Sequence, residues 1–204
     1  MITIVDYNMG NLGSIRNMLT KIGRESQISA DPALIAKADK LLLPGVGAFD
    51  AGMENLERSG LIPVLNKRVL EDRIPTLGIC LGMQLMTHRS EEGVRQGLGW
   101  IDAEALRFRM DDPSLKVPHM GWNRVMPVRP APLTADLPDE PRFYFVHSYY
   151  VRCCDEADVL LTTPFGEDFH SAFLHGNVAG VQFHPEKSHK FGMALLRNFA
   201  ERVN

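Results

Sequence analysis

Thr76-Leu77-Gly78-Ile79-Cys80-Leu81-Gly82-Met83-Gln84 is the stretch whose reading decides the fold. Arg73 to Ile79 reads as a short buried strand, and Leu81 to Thr87 carries good helix formers. Cys80 stands at the corner, with glycines two positions before and after it. Small neighbours let a strand turn sharply into a helix without a side-chain clash. The corner residue is then strained and its thiol is exposed at the carboxyl end of the strand. The adjoining helix amino terminus is partially positive and favours the thiolate. This is a Gly-x-Ser-x-Gly nucleophile turn with sulfur in place of oxygen. By itself the pattern equally describes a buried cysteine in a glycine-lined turn.

A thiol nucleophile needs a base and a group to orient it. Val178 to Phe183 reads as a strand that runs into His184-Pro185-Glu186. A neutral imidazole can take the thiol's proton and return it to a leaving group. Glu186, two residues on, would lie on the same side of an extended chain, where its carboxylate can hold the ring tautomer. Pro185 fixes its own φ and biases His184 towards extended geometry. A loop His beside a surface Glu is common; joined to Cys80 it completes a triad.

Working outward, 204 residues fit one domain with a substantial core. The net charge of −3 and the scattered Lys and Arg argue against nucleic acid, which needs a basic face. No apolar run is long enough to span a bilayer. Met1 to Asp6 lacks a basic leader and reads as a first strand. Cys80, Cys153 and Cys154 form no disulfide framework or zinc-ligand spacing, and they suit a reducing cytoplasm. No metal and no cofactor is expected.

The first half alternates strand and helix. Strands are expected at Ile2 to Tyr7, Glu25 to Ser29 and Lys40 to Leu43, the last stopping at Pro44-Gly45-Val46-Gly47. Helices are expected at Leu12 to Ile22, from Asp31-Pro32, at Phe49 to Ser59 and at Leu61 to Leu70. The second half is strand-rich: Trp100 to Phe108, Trp122 to Pro127, Phe143 to Arg152, Val159 to Thr163, Ser171 to Leu174 and Val178 to Phe183, with a hairpin turn at Gly176-Asn177. Pro127 to Pro141 reads as a surface loop and Phe191 to Val203 as a closing helix. The fold class is α/β: an open, mostly parallel sheet with helices on both faces, and further antiparallel strands in the second half. Ligands of such sheets bind at the strands' carboxyl ends. Asn8 to Asn11, Pro44 to Gly47, Cys80, His147 and His184 all fall there.

With Gly-x-Cys-x-Gly-x-Gln and the later His-Pro-Glu, the chain resembles the class I (triad) glutamine amidotransferases, whose fold is flavodoxin-like. Five further motifs narrow the likeness to one branch of that family, the glutaminase subunits of imidazole glycerol phosphate synthases. They are Asp6 to Leu12, Pro44 to Phe49, His119 to Asn123, Tyr144 to Tyr149 and His184 to Ser188. They spread over the whole chain, and their joint order is far more specific than any one of them.

The resemblance implies hydrolysis of L-glutamine to glutamate and ammonia through a thioester, with Cys80, His184 and Glu186 catalytic. It implies a partner, a (β/α)8-barrel cyclase subunit, which uses the ammonia in histidine biosynthesis. The oxyanion needs preorganised N–H donors. One is expected from Leu81, the residue after the nucleophile, and one from Val46 or Gly47. The second is expected to be misaligned until the partner binds. Gln84 and Glu92 match glutamine contacts, with Glu92 at the α-amino group. His147, Ser148 and Tyr149 match the pocket wall, and Asn11, Trp122, Tyr144 and Lys187 match the subunit interface. On residue type alone, Gln84 is an exposed helix residue, Glu92 one of two adjacent acids, Trp122 a core candidate and Lys187 a surface charge. Three other readings share the fold: an amidotransferase feeding anthranilate, pyridoxal phosphate or nucleotide synthesis, a stand-alone cysteine hydrolase, and a non-catalytic binding module.

Overall fold

The computed structural model describes residues 1–110 and 112–203. The first half runs β1 (Ile2–Val5), α1 (Leu12–Lys21), β2 (Ser26–Ser29), α2 (Pro32–Ile35), β3 (Lys40–Gly45), α3 (Phe49–Ser59), α4 (Ile62–Asn66), β4 (Thr76–Cys80) and α5 (Leu81–Leu85). The second half runs β5 (Ala103–Arg107), β6 (His119–Arg124), β7 (Met126–Pro127), β8 (Arg142–His147), β9 (Tyr149–Cys153), β10 (Val159–Phe165), β11 (Glu167–His175), β12 (Val178–Val181) and α6 (His189–Arg202).

Five strands pair in parallel in the order β2-β1-β3-β4-β12, the flavodoxin-like winding. Beyond β12 the sheet turns antiparallel through β11, β10 and β7, and β9 joins β11 to β5. A separate two-stranded ribbon, β6 with β8, stands beside it. Apolar side chains alternate to the two faces of the parallel strands. Ile4, Leu42, Leu77 and Ile79 meet Ile15 and Leu19 of α1 and Leu195 and Phe199 of α6. Leu41 and Leu43 meet Phe49 and Leu56 of α3, Leu65 of α4 and Met83 of α5. With both faces covered, the inner strands β1, β3, β4 and β12 are buried along nearly their whole length, and each large side chain so buried contributes about 1.5–3 kcal/mol. Asn11 caps α1 by accepting from the Ser14 N–H, and Asp31 caps α2 by accepting from the Ala33 N–H, with Pro32 at the first helical position.

Several elements differ from the sequence reading. β3 runs on through Pro44 to Gly45 instead of stopping at Leu43. Its pairing with β1 ends at Leu42, so the missing Pro44 N–H interrupts no bond to β1. Arg73 takes φ +53° in a turn, and β4 begins only at Thr76. Leu61 to Leu70 is α4 followed by a wider π-helical turn, Lys67–Glu71. The strand expected at Trp122 to Pro127 is two, β6 and β7, parted at buried Val125. Phe143 to Arg152 is also two strands, parted at Ser148: β8 belongs to the ribbon and β9 to the main sheet. The Pro127 to Pro141 loop holds a short 3-10 turn, Pro132–Thr134, that buries Leu133.

Candidate active site

Cys80 closes β4 with φ +53° and ψ −112°, a strained conformation for a residue bearing a side chain, and it is buried where the sequence pattern expects an exposed thiol. Packing around the corner enforces it. A Cβ on Gly82 would lie 1.7 Å from the Leu43 carbonyl oxygen, and one on Gly78 2.8 Å from the Gly82 oxygen. The α5 backbone therefore sits flush against β3, and the chain has room only for hydrogen at these two positions. Leu81 is the first residue of α5, so its N–H has no carbonyl partner within the helix.

β12 lies in parallel register with β4, Gly180 opposite Gly78 and Val181 opposite Ile79. Continuing that register sets Gln182 beside Cys80 and carries His184 to the same rim. His184 Nδ1 lies 2.8 Å from Glu186 Oε1, both side chains being almost wholly buried. The ring's second nitrogen, Nε2, and Glu186 Oε2 are buried and have no hydrogen-bond partner among the described residues. Burial pushes the His184 ring down, but the Cys80 sulfur and the Glu186 carboxylate outweigh it and raise its pKa to about 9. A ring whose pKa is raised in this way is a ready acceptor for the thiol's proton.

A cavity of about 350 Å³ opens at this rim. Cys80, Leu81, Val46, Gly47 and His184 are in its lining. Gln84, Glu92, His147, Ser148 and Tyr149 line it too, with Pro118 and Val146. Gly47 has φ +113°, a left-handed value that a side chain would resist. Tyr7, two residues past β1, is fully buried and donates its hydroxyl to the Pro44 carbonyl at 2.6 Å, anchoring this turn.

Glu91 and Glu92, indistinguishable by residue type, part company in space. Glu91 accepts from the Arg107 N–H and the Arg109 guanidinium, each at 2.8 Å, which hold its carboxyl below the usual range. Glu92 lines the cavity and accepts from the Phe49 N–H at 2.9 Å, capping α3, whose N-cap Ala48 offers no side chain for the task. Gln84 is buried, against the surface position that residue type alone suggests. Its Nε2 donates to the Tyr149 carbonyl (3.0 Å) and to Gln182 Oε1 (3.1 Å). Both amide protons are thus engaged, and what Gln84 offers a ligand is its carbonyl oxygen.

His147 belongs to a buried relay. Its Nδ1 donates to the Tyr149 carbonyl (2.8 Å), so the neutral ring presents Nε2 as an acceptor to His119 Nδ1 (3.0 Å). His119 Nε2 then accepts from Asn123 Nδ2 (3.1 Å), which also donates to the Pro164 carbonyl (2.8 Å). Burial pushes His147 down to about 3 and His119 to about 4, so both rings are neutral near pH 7. Outward from the same ribbon, Trp122 is 47% exposed, against the core position that residue type suggests. It packs edge-on to Tyr144, and the Lys187 ammonium lies 5.5 Å from the Tyr144 ring centre. Asn11 begins α1, which packs on the Pro185–Lys187 turn.

Reasoning from residue type and spacing passes over Gln182, Tyr7, His119 and Asn123 as individual site residues. Gln182 had a signal: a polar amide inside the apolar run Val178 to Phe183 must find partners if buried.

The sequence model of the family described as Glutamine amidotransferase class-I matches residues 3–203. The chain is 54% identical to imidazole glycerol phosphate synthase subunit HisH 2 of Methanococcus maripaludis over 100% of both chains. It is 50% identical to the subunit HisH 2 of Pseudomonas aeruginosa, again over 100% of each. Among solved structures, PurLQS from Thermotoga maritima superposes with a TM-score of 0.75 at 18% identity, covering 100% of this chain and 98% of that one. A second, a glutamine amidotransferase, gives 0.75 at 20% identity over 98% of each. These two structures bear on the fold alone.

Proposed function

This chain belongs to the class I glutamine amidotransferases, and we propose that it is the glutaminase subunit of an imidazole glycerol phosphate synthase, working by the following chemistry. Cys80 passes its proton to His184 Nε2 and attacks the side-chain carboxamide carbon of L-glutamine. The oxyanion is met by the Leu81 N–H and by the Val46 or Gly47 N–H; losing one such donor costs about 10²–10³ in rate. His184 returns the proton to the departing nitrogen, and ammonia leaves a thioester on Cys80. His184 next takes a proton from water, whose oxygen attacks the thioester carbon. The C–S bond breaks, its electron pair returns to sulfur, and glutamate departs. Glu186 holds the ring in the tautomer that presents Nε2.

Glu92 takes the α-amino group of glutamine, Gln84 contacts the same substrate through its carbonyl, and His147, Ser148 and Tyr149 wall the pocket. Ammonia released to neutral water becomes ammonium, which is no nucleophile, so a sealed hand-over is needed. The partner is a (β/α)8-barrel cyclase, docked over Trp122, Tyr144, Lys187 and Asn11 in a cytoplasmic heterodimer. It turns the ammonia into imidazole glycerol phosphate and aminoimidazole carboxamide ribotide.

The observation that carries this reading is the common cavity of a strained Cys80 and the Glu186-bound ring of His184. The test is Cys80→Ala in the reconstituted complex. Glutamine-dependent synthesis falls to background while synthesis with added ammonium salt persists. Retention of glutamine-dependent turnover would overturn the mechanism.

A further inference from the structure

Gln182 has no exposed surface, and its side chain reaches the reacting sulfur. Its Nε2 donates to Cys80 Sγ at 3.8 Å, within hydrogen-bonding range for the large sulfur atom, and its Oε1 accepts from Gln84 Nε2 at 3.1 Å. The orientation is determined by its neighbours. Were the Gln182 amide reversed, its NH₂ would meet the Gln84 NH₂, and its carbonyl oxygen would face the lone pairs of sulfur. Gln84 cannot reverse to accommodate it, because its own NH₂ is held by the Tyr149 carbonyl at 3.0 Å. The chain Tyr149 O, Gln84, Gln182, Cys80 is therefore polarised in one direction, and its last N–H points at the thiol.

We propose that Gln182 is a further catalytic residue, whose side-chain N–H, clamped by Gln84, stabilises negative charge on the Cys80 sulfur. The proposal rests on the thiol chemistry given above. No proton moves along the bond. When the thiol's proton passes to His184, the sulfur keeps the electron pair and the Gln182 N–H binds it. When the C–S bond forms, the charge leaves sulfur and the bond weakens; when the thioester breaks, it is restored. A hydrogen bond to an ion is about twice as strong as one to a neutral group, so the donor favours the thiolate over the thiol.

Other charged and titratable groups share the sulfur's surroundings; Glu92, across the cavity, is engaged by the Phe49 N–H. From the turn after β1, the Tyr7 hydroxyl faces the sulfur region but is engaged by the Pro44 carbonyl, and burial raises its pKa. From the turn after β12 come His184 and Glu186. From β8, His147 is neutral and has both nitrogens bonded within the protein.

The test measures the rate of Cys80 alkylation by iodoacetamide against pH, located by mass spectrometry to separate it from Cys153 and Cys154. This small neutral reagent needs no glutamine recognition. In Gln182→Met, of similar length but without a donor, the midpoint should rise by about one pH unit. In Gln182→Glu it should rise further, because a carboxylate then faces the sulfur. Gln84→Met, which frees the Gln182 amide to turn, should raise it by a smaller step. A midpoint that stays put in folded Gln182→Met, or in Gln84→Met should the first variant not fold, overturns the proposal. If the midpoint shifts but the parent complex lacks glutaminase activity, the proposed function fails and this role for Gln182 stands.

Discussion

Acidification should destabilise this protein through two buried rings, His147 on the cavity wall and His119 hydrogen-bonded to it. His147 and His119 are hydrogen-bonded as neutral acceptor and donor, and burial pushes them to about 3 and about 4. In the unfolded chain both titrate near 6.5. Their neutral fold therefore contributes stability above pH 6.5, and this is lost as pH falls below that value towards 4. The unfolded chain alone binds protons in that window. By linkage, each ring costs the folded state about 2 kcal/mol at pH 5 and about 0.2 kcal/mol at pH 7.

The pair thus removes about 3–4 kcal/mol over those two units, reduced towards about 3 where water screens the His119 side. His170, pushed down by burial, acts in the same direction. His184 acts oppositely. Its pKa is raised to about 9, so its contribution is full below 6.5 and fades as pH rises through 9. Between pH 7 and 5 it restores at most about 1 kcal/mol, because a proton the ring takes from Cys80 adds none to the folded chain's total. Asp50 and Glu91, both held low by backbone N–H bonds, change only in the carboxylate range below this window. The net loss of about 2–3 kcal/mol is a large part of the stability of an ordinary domain. Urea unfolding at pH 7, 6 and 5 measures it, and ¹⁵N chemical shifts of the two rings report their protonation. An imidazolium signature for His147 at pH 6, or an unfolding free energy equal at pH 7 and 5, would refute the reasoning.

Two other outcomes follow from packing. Gly82→Ala sets a Cβ against the Leu43 carbonyl oxygen and should destabilise by about 3 kcal/mol or more in urea, whereas Gly13→Ala, with open space around it in α1, should stabilise by about 0.5–1 kcal/mol. Trp122→Ala should weaken cyclase binding at least about tenfold by calorimetry, as loss of an exposed aromatic anchor does, while leaving the Cys80 alkylation profile unchanged.

Much of the fold is legible in the chain because it is local. The α3 helix, Phe49–Ser59, has the bounds its apolar spacing implies. The corner at Cys80 is announced by its own glycines, and Asp31-Pro32 announces α2 within two residues. Elsewhere the local signal is blind. Aromatic and β-branched residues run through Phe143-Tyr144-Phe145-Val146 and resume at Tyr149-Tyr150-Val151 with no glycine or proline between, so Phe143 to Arg152 reads as one strand. The passage from ribbon to main sheet at Ser148 is made by partners, β6 for β8 and β5 with β11 for β9. That passage brings His147, Ser148 and Tyr149 to the cavity wall.

The amino-acid order by itself determined the parallel α/β scaffold, the thiol at a strand-to-helix corner and an imidazole followed two residues later by a carboxylate. Each of these is written within one turn or one strand. Only the tertiary structure decided that Gln84 is buried with both amide protons engaged, that Gln182 donates to a sulfur 102 residues away, and that His119, His147 and Asn123 form one relay. Such choices depend on strand register and on which neighbour satisfies each buried donor and acceptor. Those are pairings between distant segments, and no periodicity along the chain encodes them.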